Sequence, residues 1–210
     1  MIDVIVCDDH PVVRQGLAWI IQNHMQVATL READSGYALV NLLREKPADV
    51  VLLDIGLPGR GGLDALRQIR QEWPRLPVLM LSVHPADQYG VRALRAGASG
   101  YLTKDLAAQE LVTAVKTVVG GHRYLTSEVA ERLADDLGRR SDGEPHETLS
   151  DREFEVLTLL GAGKSVRQIA TELCLSYSTL STYRSRVLTK LGVKTDAEVI
   201  RYALRHGLAD

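Results

Sequence analysis

Five times between Ile2 and Val119 a short, nearly continuous apolar run gives way to a stretch whose apolar residues fall three and four apart. The runs are IDVIVC (2–7), VATL (27–30), ADVVLLD (48–54), PVLMLS (77–82) and SGYL (99–102). Between them stand VVRQGLAWIIQN, SGYALVNLLREK, GLDALRQIRQEW and PADQYGVRALRAG, and DLAAQELVTAVKTVV follows the last. Continuous apolar runs of this length read as strands and the 3.6-residue period reads as helix, so the pattern is five βα units. Strands of consecutive Val, Ile and Leu bury both faces, which requires a parallel sheet covered by helices on either side. The expected fold is α/β, a (βα)5 unit with a five-stranded parallel sheet.

The pattern stops after Val119. GGHRYL and one more helical stretch, SEVAERLADDL, lead into GRRSDGEPHE (138–147), which is charged, rich in turn formers and without period, and reads as a linker. From Thr148 onward only helices are expected, at about 151–161, 166–173, 177–191 and 196–206. Ser150 with Glu153, Ser165 with Gln168 and Thr195 with Glu198 each fit the capping box, in which a side-chain oxygen satisfies an orphan amide. Gly161 and Gly207 are expected to cap helix C-termini and Gly192 to end the third helix. The division is therefore 1–120, a linker at 121–147 with a helix near 127–137, and an all-α four-helix unit at 148–210.

With 210 residues, 45% of them hydrophobic, the chain can bury a core in each part. No apolar run approaches the roughly 20 residues that cross a bilayer, and the N-terminus lacks a secretory pattern, so a cytoplasmic protein with no membrane partner is expected. Cys7 and Cys174 lie far apart without metal-ligand spacing and read as small buried thiols. The net charge of −2 is unevenly spread: residues 148–210 hold nine Lys or Arg against seven Asp or Glu, and residues 1–147 hold sixteen against twenty. The C-terminal part is thus weakly basic, which permits a nucleic-acid partner without requiring one.

The chemistry gathers at the strand ends. Asp8 and Asp9 follow the first strand and Asp54 ends the third; if strands one and three are neighbours, as in the flavodoxin-like strand order, these carboxylates meet in one crevice, where ligands of such sheets bind. Three crowded carboxylates are costly unless a cation neutralises them, and oxygen-only ligation suits Mg2+. Ser82 ends the fourth strand and Lys104 lies just past the fifth, a hydroxyl and an ammonium suited to phosphoryl oxygens. In the helix at 177–191, Leu180, Tyr183, Val187 and Leu191 form an inward face. The opposite face carries Ser178, Ser181, Thr182, Ser185 and Thr189, flanked by Arg184, Arg186 and Lys190. Short hydroxyls allow close approach to base edges and the flanking cations suit phosphates, as in a helix inserted into a DNA major groove. GAGKS (161–165) mimics the end of a phosphate-binding loop, but Thr158 stands where glycine is needed and no strand precedes it. His10, His84 and His122 show no metal-ligand spacing and read as loop residues.

DDHPVVRQGL, VVLLDIGLPGRGGLDALRQIR, VLMLSVHPADQYGVRALRAGASGYLTKD and GHRYLTSEVAERLA together resemble a response-regulator receiver domain. LSDREFEVLTLLGAGKSVRQIATELCLSYSTLSTYRSRVLTKLGV resembles the LuxR-type helix-turn-helix of the NarL/FixJ family. The resemblance implies a CheY-like receiver and a phosphorylation-dependent transcription factor of a two-component system. Asp54 would accept a phosphoryl group from a sensor histidine kinase, and Asp8, Asp9, Asp54 and the Gly56 carbonyl would hold Mg2+. Ser82 and Lys104 would contact the phosphoryl oxygens, and Tyr101 would change rotamer with Ser82. Ser178, Ser181, Thr182, Arg184, Ser185, Arg186 and Lys190 would face double-stranded DNA, with the last helix as the contact of a homodimer. The chain departs from the family at Asp105, where many receivers have proline, at Val83, often alanine, and at Ser181, commonly lysine. One alternative is a DNA-binding regulator controlled by protein contacts alone. Another is a Mg2+-dependent phosphatase with an aspartate nucleophile, which Gly56 disfavours because such enzymes carry a second acid there.

Overall fold

The computed structural model describes residues 1–59, 61–83, 86–105, 108–138 and 144–209. His84 and the middle of the expected linker, residues 139–143, lie outside them. The chain forms two compact units, Met1–Asp135 and Asp136–Asp210. The first contains the five expected strands, β1 (Ile2–Cys7), β2 (Val27–Ala33), β3 (Val50–Asp54), β4 (Val78–Ser82) and β5 (Gly100–Thr103). All pair in parallel in the order β2-β1-β3-β4-β5, so the two chain directions of growth meet at β1 and β3.

The helices of this unit are α1 (Pro11–His24), α2 (Gly36–Glu45), α3 (Gly62–Glu72), α4 (Ala86–Arg95) and α5 (Ala108–Val119), with most of α6 (Ser127–Gly138), whose last residues fall past the unit's boundary. Each strand of β1, β3 and β4 alternates its side chains between two buried faces. Val4, Val6, Val50, Leu52, Leu79 and Leu81 pack with Leu17 and Ile21 of α1 and with Leu111, Val115 and Val118 of α5. Ile5, Val51, Leu53 and Met80 point the other way and are equally buried, as are Leu39 and Leu43 of α2 and Leu66 and Ile69 of α3. Each fully buried aliphatic side chain contributes about 1.5–3 kcal/mol relative to exposure.

Two features were hidden from the period. β2 runs past VATL through Arg31 and Glu32, because its pairing from Val4↔Leu30 to Cys7↔Ala33 holds polar residues extended at a sheet edge. Arg31 there donates to the Leu42 carbonyl (2.7 Å). Beyond α5 the chain returns to the sheet: the Tyr124 amide donates to the Ser99 carbonyl (2.9 Å), bridging to β5 at Gly100. Only glycine fits there, since a Cβ on residue 100 would lie 2.7 Å from the Tyr124 carbonyl oxygen. α6 then packs Val129, buried, against Gly90 of α4.

The second unit comprises a 3-10 turn (Pro145–Thr148), α7 (Asp151–Gly161), α8 (Val166–Glu172), α9 (Tyr177–Leu191) and α10 (Asp196–Arg205). All three expected capping boxes form, at Ser150/Glu153, Ser165/Gln168 and Thr195/Glu198. Gly192 ends α9 in the left-handed region at φ 69°. Gly207 takes the same role after α10, at φ 63°. Gly161 does not cap α7: it is its last helical residue, and the left-handed turn falls on Gly163. Glycine is required at 161 for a different reason, since a Cβ would meet those of Ala203 and Ala209 at 2.6 and 2.8 Å.

The expectation of two buried thiols holds for Cys7 and fails for Cys174, which is exposed. Cys174 closes α8 with φ 52°, and the Leu175 amide reaches back to the Ala170 carbonyl (2.9 Å). The turn into α9 demands this conformation even though a side chain with a Cβ disfavours it. Cys174→Gly is expected to stabilise the second unit by about 1 kcal/mol, read from chemical denaturation; an unchanged or lower midpoint would refute the strain.

Candidate functional site

The strand register assembles the first site. Cys7 pairs with Leu53, so the next residues, Asp8 and Asp54, emerge side by side at the carboxyl edge where β1 meets β3. Asp54 pairs with Leu81, and Ser82 pairs with Thr103, placing Ser82 and Lys104 on the other flank of Asp54. The Lys104 amide donates to the Ser82 carbonyl (2.7 Å), tying the two strand ends together. Asp8, Asp54, Ser82 and Tyr101 are all buried.

Lys104 Nζ stands 2.7 Å from Asp8 Oδ2 and 2.8 Å from Asp54 Oδ2, with its side chain only 10% exposed. Burial alone would lower the Lys104 pKa, but the bonds and charge of Asp54 and Asp8 outweigh it and hold the ammonium above its ordinary range. Burial pushes the Asp54 carboxyl up, against the pull of Lys104 and of the Gly56 amide, which donates to Asp54 Oδ1 at 3.1 Å. Burial, with Asp54 and Asp8 nearby, also raises the Cys7 thiol, keeping it neutral.

Among the described residues, Lys104 is the cation paired with these carboxylates, which leaves three acids short of positive charge. Asp8 Oδ2, though paired with Lys104, and Asp9 Oδ1 accept no well-directed hydrogen bond. Ligand atoms of Asp8, Asp9, His10 and Asp54 all lie within 4.8 Å of one another. Hard carboxylate oxygens with unused lone pairs fit a small divalent cation such as Mg2+. His10, read from sequence as a plain loop residue, is at this cluster: its Nδ1 lies 2.9 Å from Asp9 Oδ1, and its amide donates to Asp8 Oδ1 (2.8 Å). A softer nitrogen ligand suits Mg2+ poorly, which leaves His10 as a neighbour that braces the acidic turn through its amide bond to Asp8. Arg14 was also missed. It donates to the Asp8 carbonyl (2.6 Å) and pairs with Glu32 (2.9 Å), so α1 and β2 hold the turn carrying both acids. No local pattern marks Arg14, because Glu32 reaches it only through strand pairing.

The second site lies on α9, which Ser176 caps by accepting from the Thr179 amide. Leu180, Val187 and Leu191 are buried and Tyr183 half-buried, the inward face expected. Ser178, Ser181, Thr182, Ser185, Arg186 and Thr189 are exposed. The structure divides the three cations. Arg184 pairs with Asp196 of α10 (2.7 Å), and Lys190 pairs with Glu153 (2.6 Å) and donates to the Thr148 carbonyl (3.1 Å). Arg186 forms no ion pair among the described residues. Among those residues, too, no helix is long and apolar enough to cross a membrane.

With both sites in view, the comparisons are specific. The family pattern for the response regulator receiver domain matches residues 4–116, and that for bacterial regulatory proteins of the luxR family matches residues 147–203. The chain is 36% identical over 211 residues to response regulator UvrY of Escherichia coli, covering 100% of this chain and 97% of that one. It is 36% identical over 211 residues to response regulator GacA of Pseudomonas aeruginosa, covering 100% and 99%. The structure of RcsB from Salmonella enterica serovar Typhimurium, bound to promoter rprA with a phosphomimetic beryllium fluoride, is similar over 96% of this chain and 98% of that one. Its TM-score is 0.63 at 27% identity.

Proposed function

The chain belongs to the two-component response regulators of the NarL/FixJ type, transcription regulators that join a receiver to a LuxR-type DNA-binding domain, and from that premise we propose how this one works. Asp54 accepts a phosphoryl group from a sensor histidine kinase, and the modified protein binds double-stranded DNA through α9 as a homodimer in the cytoplasm. The observation that carries this reading is Lys104 Nζ suspended between Asp8 and Asp54 at 2.7 and 2.8 Å, in a group of acids with unused lone pairs.

In the transfer, an Asp54 carboxylate oxygen forms a bond to phosphorus as the donor's P–N bond breaks, and the electron pair leaves with the donor imidazole. The chemistry asks mainly for positioning. The Gly56 amide and Lys104 hold the carboxylate, and Lys104 then meets a phosphoryl oxygen that adds charge beside it. Mg2+ bound by Asp8, Asp9, Asp54 and the Gly56 carbonyl would neutralise the remaining negative charge. Ser82 turns its hydroxyl to another phosphoryl oxygen, and the space it leaves lets Tyr101 change rotamer. The receiver catalyses only its own phosphorylation and dephosphorylation. The test is intact-mass analysis with acetyl phosphate and Mg2+, with DNA affinity measured on the same samples. Equal DNA affinity before and after phosphorylation would favour control by protein contacts alone, and turnover of phosphate esters would favour a phosphatase.

On α9 the hydroxyl face of Ser178, Ser181, Thr182 and Ser185 reads bases, with Arg184, Arg186 and Lys190 at the phosphates. The ion pairs rank those cations. Arg186→Ala is expected to weaken binding to all sequences and reduce the salt slope of log K by about 1, as loss of one phosphate contact does. Lys190→Ala loses its bond to Glu153 and should lower thermal stability more than it lowers the salt slope. A larger slope change for Lys190→Ala than for Arg186→Ala would reverse the ranking.

A further inference from the structure

Glu144, His146 and His206 form a second group whose ligand atoms all lie within 4.8 Å of one another, wholly within the second unit. We propose that this group is a binding site for a borderline transition-metal cation of the Zn2+ class, clamping the segment before α7 to the end of α10. The donors suit such an ion: two imidazoles and one carboxylate, rather than the all-oxygen set that selects Mg2+.

The arrangement around the donors supports this assignment. His146 Nδ1 lies 3.0 Å from the Tyr202 hydroxyl, an outer partner that fixes the orientation of that ring as such partners fix metal-binding histidines. Tyr202 and His206 stack at 4.3 Å, which holds the second imidazole. His206 Nδ1 is 3.8 Å from Glu144 Oε2, a gap that a cation would close by binding both. All three ligands are half-buried, open enough for exchange with solvent. Three protein ligands leave one tetrahedral position for water or a further donor.

The clamp has a consequence for the proposed dimer. His206 directly follows α10, and His146 lies in the 3-10 turn ahead of α7. A metal linking them reduces the freedom of the chain entering the DNA-binding unit beside the helix expected to form the dimer contact. This consequence rests on the reading of α10 as that contact; the metal site itself does not.

The test is titration of the full-length protein with ZnCl2 after chelator treatment, in excess Mg2+ to occupy the acidic site, with imidazole NMR resonances as the readout. The expected result is one equivalent of Zn2+ that moves the His146 and His206 resonances. His146→Gln and His206→Gln are each expected to weaken it at least about tenfold. Cys174→Ser, removing the exposed thiol, should leave affinity unchanged. Resonances of His146 and His206 that stay in place on wild-type protein would overturn the proposal, even where a variant fails to fold. Zn2+ affinity unchanged in both histidine variants would overturn it equally. Zn2+ binding that leaves dimerisation unchanged would strike the link to α10 and leave the site standing.

Discussion

Asp54→Asn is expected to abolish the mass gain from acetyl phosphate with Mg2+ and to leave DNA affinity unresponsive to phosphodonor. The amide is nearly isosteric, so the loss reads chemistry rather than packing: an amide oxygen is a poor nucleophile and brings no charge to a bound cation. Stability should move in a separate direction. Asp54 is buried beside Asp8, and its charge is only partly answered by Lys104. Removing one of the crowded carboxylates relieves repulsion at low Mg2+, so the variant should melt no lower than the parent there. Asp54→Asn that still gains phosphate at the parental rate would move the acceptor to another residue.

Gly62→Ala is expected to be as damaging although residue 62 touches neither phosphate nor metal in the proposed chemistry. A Cβ there would lie 1.9 Å from the Asp54 carbonyl oxygen and 2.8 Å from Ile55 Cα, both backbone atoms that no rotamer can move aside. The Gly62 amide donates to the Ile55 carbonyl (2.9 Å), so the segment after β3 folds directly back onto the acceptor residue. Accommodating a methyl group means displacing the end of β3. The expected cost is about 3 kcal/mol, or roughly 10 °C in the melting of the first unit. Phosphorylation should slow by about 100-fold where Asp54 shifts by an ångström. Gly16→Ala is the control, on an exposed face of α1 with nothing within 4 Å, and should stabilise by about 0.5–1 kcal/mol. Equal melting of the two variants would show that the turn yields without strain.

The strands, helices and acidic site were legible for different reasons. Val4 to Cys7, Val50 to Leu53 and Val78 to Leu81 are apolar without interruption because both sheet faces are covered, so burial is written into consecutive residues. Helix starts at Ser150, Ser165 and Thr195 were legible because a cap and its partner stand three residues apart and act locally. Gly161 misled because its constraint comes from Ala203 and Ala209, far along the chain, whereas the turn geometry that glycine usually signals fell on Gly163. Cys174 misled because cysteine favours interiors in general, while the turn between α8 and α9 puts this one on the surface.

The sequence by itself determined the βα period, the helical second part and the placing of Asp8, Asp9, Asp54, Ser82 and Lys104 at strand ends, since periodicity and end chemistry are local properties. Only the tertiary structure decided which partners those residues have. Lys104 bridges Asp8 and Asp54, His10 and Arg14 brace the acidic turn, and Lys190 and Arg184 are engaged with Glu153 and Asp196. The physical reason is common to all: a charge acts over a few ångströms in space, and the distance between two side chains is fixed by strand register and helix packing rather than by their separation along the chain.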